Sequence, residues 1–164
     1  MAIFGAPMRM QIDAYDQAIL DLMQTDCTLS HATIGERVGL SGSAVRRRIS
    51  TLRKTGVISQ EVAIVNAESR IAGITVIVTV AFAQETQASV DAFRAAMRRE
   101  PNVMQCYATA GQFDFILVVA AESPAHYEEW GERTLMSNSM LKRYDSFVVW
   151  STVKFTTKRP QFSR

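Results

Sequence analysis

The spacing of apolar residues changes once along this chain, between residues 56 and 73, and this change sets the fold class. Residues 13–56 repeat apolar side chains at the spacing of amphipathic helices, as in Ile19, Leu22 and Met23. Residues 73–83 instead repeat β-branched and aromatic residues with a period of two, which is typical of a strand. Helices followed by a strand-rich region in 164 residues predict an α+β protein built from two small domains.

The helical half has start and stop signals for three short helices. Asp13 is a suitable N-cap for the first, and Ser30 opens a second that ends at Gly39. Ser41 or Ser43 caps a third helix, which runs to about Thr55. Three short helices with a glycine turn before the third predict a helix-turn-helix domain, winged-helix-like, over residues 1–60. The helix-turn-helix element itself is expected at about residues 31–50.

The second half has the order strand, helix, strand, strand, helix, strand. This order predicts a ferredoxin-like βαββαβ domain over residues 73–164. An ordered hinge is expected over residues 61–72, and residues 57–65 are interpreted as a possible strand. The expected strands are 73–83, 103–109, 113–121 and 144–155, and the expected helices are 86–99 and 124–136.

Charge is distributed unevenly over the helical half, although the net charge of the whole chain is only +2. Residues 37–60 hold six basic residues and no acidic one, whereas residues 13–36 hold five acids and no Lys or Arg. A small domain polarised in this way has one face suited to an anion.

The third helix carries most of these basic residues. Val45, Ile49 and Leu52 have the spacing of an inward face, so the other side of the helix is expected to meet solvent. Arg48 lies beside the inward residues, so its stem is expected to pack and its head to flank the DNA groove. A solvated basic face is the alternative, but the helix-turn-helix position favours double-stranded DNA. The predicted DNA-binding residues are Ser41, Ser43, Arg46, Arg47, Ser50, Arg53 and Lys54.

Over residues 10–157 the sequence resembles the Lrp/AsnC family of transcriptional regulators. The resemblance rests on the segment TIGERVGLSGSAVRRRISTLRKTGVI and on a loop of the TG-x-[YF]-D type in the second half. It implies a sequence-specific DNA-binding regulator whose second domain binds a free amino acid. It also implies homodimers that commonly assemble into octamers, as tetramers of dimers.

That loop is the predicted effector site. Exposed amides around Gly111 would bind a carboxylate, and Asp114 would accept an ammonium group. An ordinary β-turn, with an unusual φ at Gly111 and Asp114 as its cap, is the alternative. The family's hydroxyl-bearing residues are replaced by Ala110 and Phe113, which suggests an apolar ligand or a weak site. The predicted effector-binding residues are Thr109, Ala110, Gly111, Gln112 and Asp114.

Other functional classes have little support in the sequence. There is no GxGxxG, P-loop, HExxH or GxSxG pattern, and His31 and His126 lie in different predicted domains. No enzymatic activity, cofactor, metal or membrane association is expected, and the protein is expected in the cytoplasm. Cys27 and Cys106 are expected to be partly buried, without a disulfide or zinc. Two alternatives stay open: a sirohaem-decarboxylase-like enzyme on the same architecture, and an architectural DNA-binding protein without an effector.

Overall fold

A computed structural model describes residues 12–65 and 73–160 of the chain. These residues form two compact units, of which the second is Ile64–Val153. The segment from Lys154 onward groups with the N-terminal unit, although the sequence pattern assigns it to the second domain. Most of the predicted hinge, residues 66–72, lies outside the described residues.

The N-terminal unit contains the three predicted helices. They are α1 (Ala14–Met23), α2 (His31–Val38) and α3 (Gly42–Lys54). Each begins at a predicted cap, because the side chains of Asp13, Ser30 and Ser41 accept hydrogen bonds from backbone N–H groups of the first turn. Gly39 ends α2 in the left-handed conformation, with φ of 72°.

The core of this unit joins the three helices. Ile19 of α1, Ile34 of α2, and Val45 and Ile49 of α3 are buried against one another. Gly35 lets the chain turn sharply before α3, since a Cβ on it would overlap the carbonyl oxygen of Leu40. This packing confirms the helix-turn-helix prediction and fixes which side of α3 faces solvent.

The second unit is the predicted βαββαβ arrangement. The elements in chain order are β1 (Ile74–Phe82), α4 (Gln87–Met97), β2 (Val103–Ala108), β3 (Phe115–Ala121), α5 (Pro124–Gly131) and β4 (Leu141–Val148). The four strands form one antiparallel sheet in the order β2-β3-β1-β4. Helix α5 continues into a short π-helical segment, Glu132–Met136.

One face of the sheet carries the core and the other carries partly exposed apolar side chains. Val78 and Leu117 are buried on the helix side, together with Phe93 of α4 and Trp130 of α5. On the opposite face, Ile77 of β1 pairs in register with Val118 of β3 and Phe147 of β4. Ile77 and Phe147 are 38% and 55% exposed.

Two strand predictions were wrong, both because a partner strand is missing. Residues 57–65 form no strand, since no described strand pairs with them. The last strand runs over Leu141–Val148 instead of 144–155. Its neighbour β1 starts at Ile74, so the pairing ends with one hydrogen bond, in which Val149 N donates to Thr75 O at 2.8 Å. The side chains beyond this point, such as Trp150, are exposed.

The expectation for the cysteines was also wrong, because Cys27 and Cys106 are both exposed and free. Cys27 lies in the α1–α2 connection and Cys106 lies on the edge strand β2, where neighbouring strands cover only one side. Among the described residues, no helix is long and apolar enough to cross a membrane.

Candidate functional site

The arginine run on α3 divides between two sides of the helix. Val45, Ile49 and Leu52 are fully buried or nearly so, as their spacing predicted. Arg46 and Arg47 are exposed on the outer side. Helical geometry places residues one turn apart on the same face. Because Val45, Ile49 and Leu52 occupy the buried face, the guanidinium groups of Arg46 and Arg47 lie on the solvent side.

Three basic side chains of this outer surface lack an acidic partner. Arg46, Arg47 and Lys54 form no ion pair with any described residue. Ser43 is exposed and Ser50 is half-buried along the same helix. An unneutralised row of cations on an exposed helix can bind an anion without first breaking an internal ion pair.

Arg53, another predicted DNA contact, is paired within the unit. Its Nε and Nη2 donate to Oε1 of Glu61 at 2.9 and 2.8 Å. Glu61 therefore competes with any phosphate for this guanidinium. The pair is on the surface, with half of the Arg53 side chain exposed, so it can exchange for another anion at small cost.

Arg48 points toward α1, contrary to the prediction that its head flanks a groove. Its Nη1 lies 2.8 Å from both Asp13 Oδ2 and Asp16 Oδ1. The guanidinium also lies over the ring of Tyr15, 5.4 Å from its centroid. The sequence shows five acids over residues 13–36, but it does not indicate which of them lies beside Arg48.

The pairing shifts two pKa values in the N-terminal unit. Hydrogen bonds to Asp16 and then Asp13 raise the pKa of Arg48 above its ordinary value. The hydrogen bond from the backbone N–H of Asp16, followed by Arg48, lowers the pKa of Asp13. Since Asp16 is only 4% exposed, Arg48 neutralises a buried carboxylate and fastens α3 to α1.

Ser41 has a structural task in addition to its predicted role. Its Oγ accepts the N–H of Ala44 at 3.2 Å and lies 3.1 Å from Oγ of Ser43. It therefore caps the helix that carries the arginines. When Ser43 donates in this contact, the hydroxyl proton of Ser41 is left to donate to a phosphate.

The predicted effector loop is closed at its base by main-chain hydrogen bonds. Thr109 N donates to Asp114 O at 2.9 Å, and Asp114 N donates to Val80 O at 2.8 Å. The hydroxyl of Thr109 donates to the carbonyl of Phe113. Gly111 does not have a positive φ, so the turn alternative was wrong in this detail.

The carboxylate of Asp114 helps to close this loop. Its Oδ2 accepts the N–H of Phe82 at 2.7 Å, which ties the start of β3 to the end of β1. The other carboxylate oxygen, Oδ1, accepts no hydrogen bond from the described residues. The N–H groups of Ala110, Gly111 and Gln112 also donate to no described acceptor. This arrangement leaves several amide donors at the exposed tip of the loop and one carboxylate oxygen at its base.

The two histidines have ordinary local surroundings. His31 is exposed at the start of α2, and Nδ1 of His126 accepts the N–H of Glu122 at 3.3 Å. They belong to different units. Within residues 12–65 and 73–160, no three His, Cys, Asp or Glu side chains are placed to hold a metal ion.

Comparison with known families matches both units. Residues 12–53 match the AsnC-type helix-turn-helix domain, and residues 75–159 match the Lrp/AsnC ligand binding domain. An uncharacterized HTH-type transcriptional regulator of Sinorhizobium fredii is 35% identical over 151 residues, which cover 92% of this chain and 89% of the relative. The glutamate uptake regulatory protein of Zymomonas mobilis is 31% identical over 150 residues, 92% of this chain and 91% of that protein.

Solved structures give the same result. An AsnC family transcriptional regulator from Agrobacterium tumefaciens is 28% identical, with a TM-score of 0.81 over 90% of this chain and 96% of that one. A transcriptional regulator from Neisseria meningitidis, solved in complex with L-Met, has the same identity, TM-score and coverage. Both alignments extend across nearly the whole of each protein.

Proposed function

Because this chain belongs to the Lrp/AsnC family of DNA-binding transcriptional regulators, we propose that it recognises specific DNA sequences through α3 and responds to a free amino acid. The observation that carries the DNA proposal is the set of exposed, unpaired cations on α3, namely Arg46, Arg47 and Lys54. They stand on a helix whose other side is anchored in the core. A regulator of this kind acts where the DNA is, so we place it in the cytoplasm.

The proposed contacts have different tasks. Arg46 and Arg47 would reach base edges, since a guanidinium can pair with the O6 and N7 atoms of guanine. Lys54, and Arg53 after release from Glu61, would neutralise phosphates. The exposed hydroxyls of the first turn would add phosphate contacts that fix the register of the helix. The complete proposed set is Ser41, Ser43, Arg46, Arg47, Ser50, Arg53 and Lys54.

We propose that the chain forms a homodimer through the open face of its sheet, and that dimers assemble into octamers. Ile77 and Phe147 lie side by side on this face, and Tyr107 of β2 is 53% exposed. Exposed apolar residues grouped on one sheet face are typical of an interface. A two-fold dimer would present two α3 helices to half-sites one helical turn of DNA, or a multiple of it, apart.

The DNA proposal is tested by titrating genomic DNA fragments at several salt concentrations. We expect dimeric binding whose log affinity falls linearly with log salt concentration, because bound cations release counterions from the duplex. Specific fragments should retain an advantage over random fragments at every salt concentration. Absence of binding at low salt would contradict the proposal.

The effector proposal places the carboxylate of an amino acid on the free amides around Gly111 and its ammonium on Oδ1 of Asp114. Its supports are the exposed loop tip, whose amides lack acceptors, and the L-Met complex of the Neisseria meningitidis relative. Apolar Ala110 and half-buried Phe113 at the loop favour an apolar amino acid. Thr109 and Gln112 complete the proposed site.

Asp114→Asn is expected to weaken amino-acid binding about tenfold or more, because it removes a charged hydrogen bond worth about 1.5–3 kcal/mol. Asparagine still offers an oxygen to the N–H of Phe82, so the loop should keep its shape. Calorimetry against an amino-acid panel measures the effect, with Glu128→Gln on the exposed side of α5 as the control. Equal affinity in both variants would remove Asp114 from the site. No binding by any amino acid would favour the architectural alternative.

A further inference from the structure

A cleft of about 340 Å³ lies between α4 and the edge strand β2, on the helix side of the sheet. Its volume falls within the range of sites for small ligands. Its lining differs from that of the effector loop, although β2 leads into that loop. The lining residues are Arg94, Met97 and Arg98 from α4, Val103, Met104, Gln105, Cys106 and Ala108 from β2, and Phe115 from β3.

Two cations share the helical wall of this cleft. Arg94 and Arg98 are four residues apart, so they lie on the same side of α4 and repel one another. Arg94 makes only a long contact of 3.6 Å with Asp91, and Arg98 has no ion-pair partner among the described residues. A bound anion would relieve this repulsion and accept hydrogen bonds from both guanidinium groups.

Apart from Gln105, the other lining residues have apolar side chains. Phe115 and Met97 are 2% and 3% exposed and present little surface to a ligand, whereas Met104, at 53%, offers a flexible thioether at the rim. The Cys106 thiol adds to this apolar surface, because desolvation raises its pKa despite the two nearby arginines, and the neutral form dominates at neutral pH. No carboxylate lines the described cleft, so an ammonium group would find no anionic partner there.

We propose that this cleft is a second ligand site, which binds an apolar carboxylic acid without an α-ammonium group, such as a branched-chain or aromatic 2-oxo acid. Arg94 and Arg98 hold the carboxylate, and Val103, Met104 and Ala108 contact the apolar body. The site goes beyond the proposed function, because it uses neither Asp114 nor the free amides of the loop. The protein would thus bind an amino acid and an oxo acid at separate places.

Calorimetry with 4-methyl-2-oxopentanoate, phenylpyruvate and L-leucine tests the site on the full-length protein. We expect an oxo acid to bind the wild type, Arg98→Gln to weaken it at least about tenfold, and Asp114→Asn to leave it unchanged. Arg99→Gln is the matched control, since it removes the same charge from the next residue, which does not line the cleft. Binding of L-leucine that Arg98→Gln weakens equally would overturn the proposed selectivity. Failure of both oxo acids to bind, or an unchanged affinity in Arg98→Gln, would overturn the site.

Alkylation of Cys106 gives an independent measurement of occupancy. In a Cys27→Ser background, Cys106 is the only remaining thiol, and iodoacetamide should label it more slowly when an oxo acid is bound. The protection should be lost in the same background carrying Arg98→Gln. A labelling rate that does not change at saturating oxo acid would place the ligand elsewhere and contradict the proposal. Because the loop is not involved, these results stand whether or not an amino acid binds near Asp114.

Discussion

Ile49→Ala is expected to lower the free energy of unfolding of the N-terminal unit by about 2–5 kcal/mol. Ile49 is 1% exposed and packs with Ile19, Ile34 and Val45 in the small core of the three helices. Truncating a buried isoleucine removes its transfer free energy and leaves a cavity that the surrounding helices fill only in part.

The loss of DNA binding should be larger than the truncation of one side chain suggests. Natural domains have about 5–15 kcal/mol of stability, and small domains are among the less stable. The loss of stability therefore raises the fraction of molecules in which the N-terminal unit, with the helix that carries the arginines, is unfolded. The second unit has its own core around Phe93 and Trp130, so it should stay folded.

Thermal melts followed by circular dichroism, together with DNA titration, measure both effects. We expect the transition of the N-terminal unit to move to lower temperature, while that of the second unit stays in place. Thr51→Ala, an exposed change on the same helix, is the control and should leave both transitions nearly unchanged. A melt of Ile49→Ala that overlays the control would show that this core does not hold α3.

Local chemistry made much of the fold predictable from the sequence. A cap needs only a short polar side chain and the amides two or three residues later, so Asp13 and Ser30 marked helix starts correctly. The period of two in β1 likewise identified its buried face, because side chains alternate across a strand. The order of these elements along the chain was then sufficient to predict the helix-turn-helix and βαββαβ folds.

Features that depend on distant residues were not predicted. The head of Arg48 was placed at the DNA groove because local spacing cannot detect Asp16, which lies 32 residues earlier. The end of β4 depends on where its neighbour β1 begins, and no pattern within residues 144–155 carries that information. The cleft beside Cys106 arises only when α4 packs against β2, so periodicity could not reveal that Arg94 and Arg98 share a wall with this thiol.

Contacts with distant residues also decide which of the three consecutive arginines are free to bind DNA. The sequence analysis expected the stem of Arg48 to pack and its head to flank the DNA groove, but that head is paired with the acids of α1. Replacing Arg48 would therefore disturb the N-terminal unit as well as any DNA contact, and a loss of binding would have two explanations. Arg46 and Arg47 are exposed and unpaired, so they give the cleaner test.

The double variant Arg46→Ala, Arg47→Ala is expected to weaken specific DNA binding by about 2–6 kcal/mol, at least about thirtyfold. Each guanidinium that contacts a base edge contributes about 1–3 kcal/mol, and an arginine that contacts only phosphate instead lowers the salt slope by about one unit. Alanine is the best helix former, so α3 should stay intact at these exposed positions.

The matched control is Arg99→Ala, Lys142→Ala, which removes two exposed cations of the second unit that form no ion pair with a described residue. Both double variants lower the net charge by two, so a general electrostatic effect would weaken DNA binding equally in both. A specific role for α3 requires a larger loss in the first variant, together with a reduced preference for the operator over random DNA. Single replacements of Arg46 and Arg47 then separate base contacts, which reduce the preference, from phosphate contacts, which reduce only the salt slope. If the two double variants bind operator DNA with equal affinity, α3 is not the DNA-reading helix.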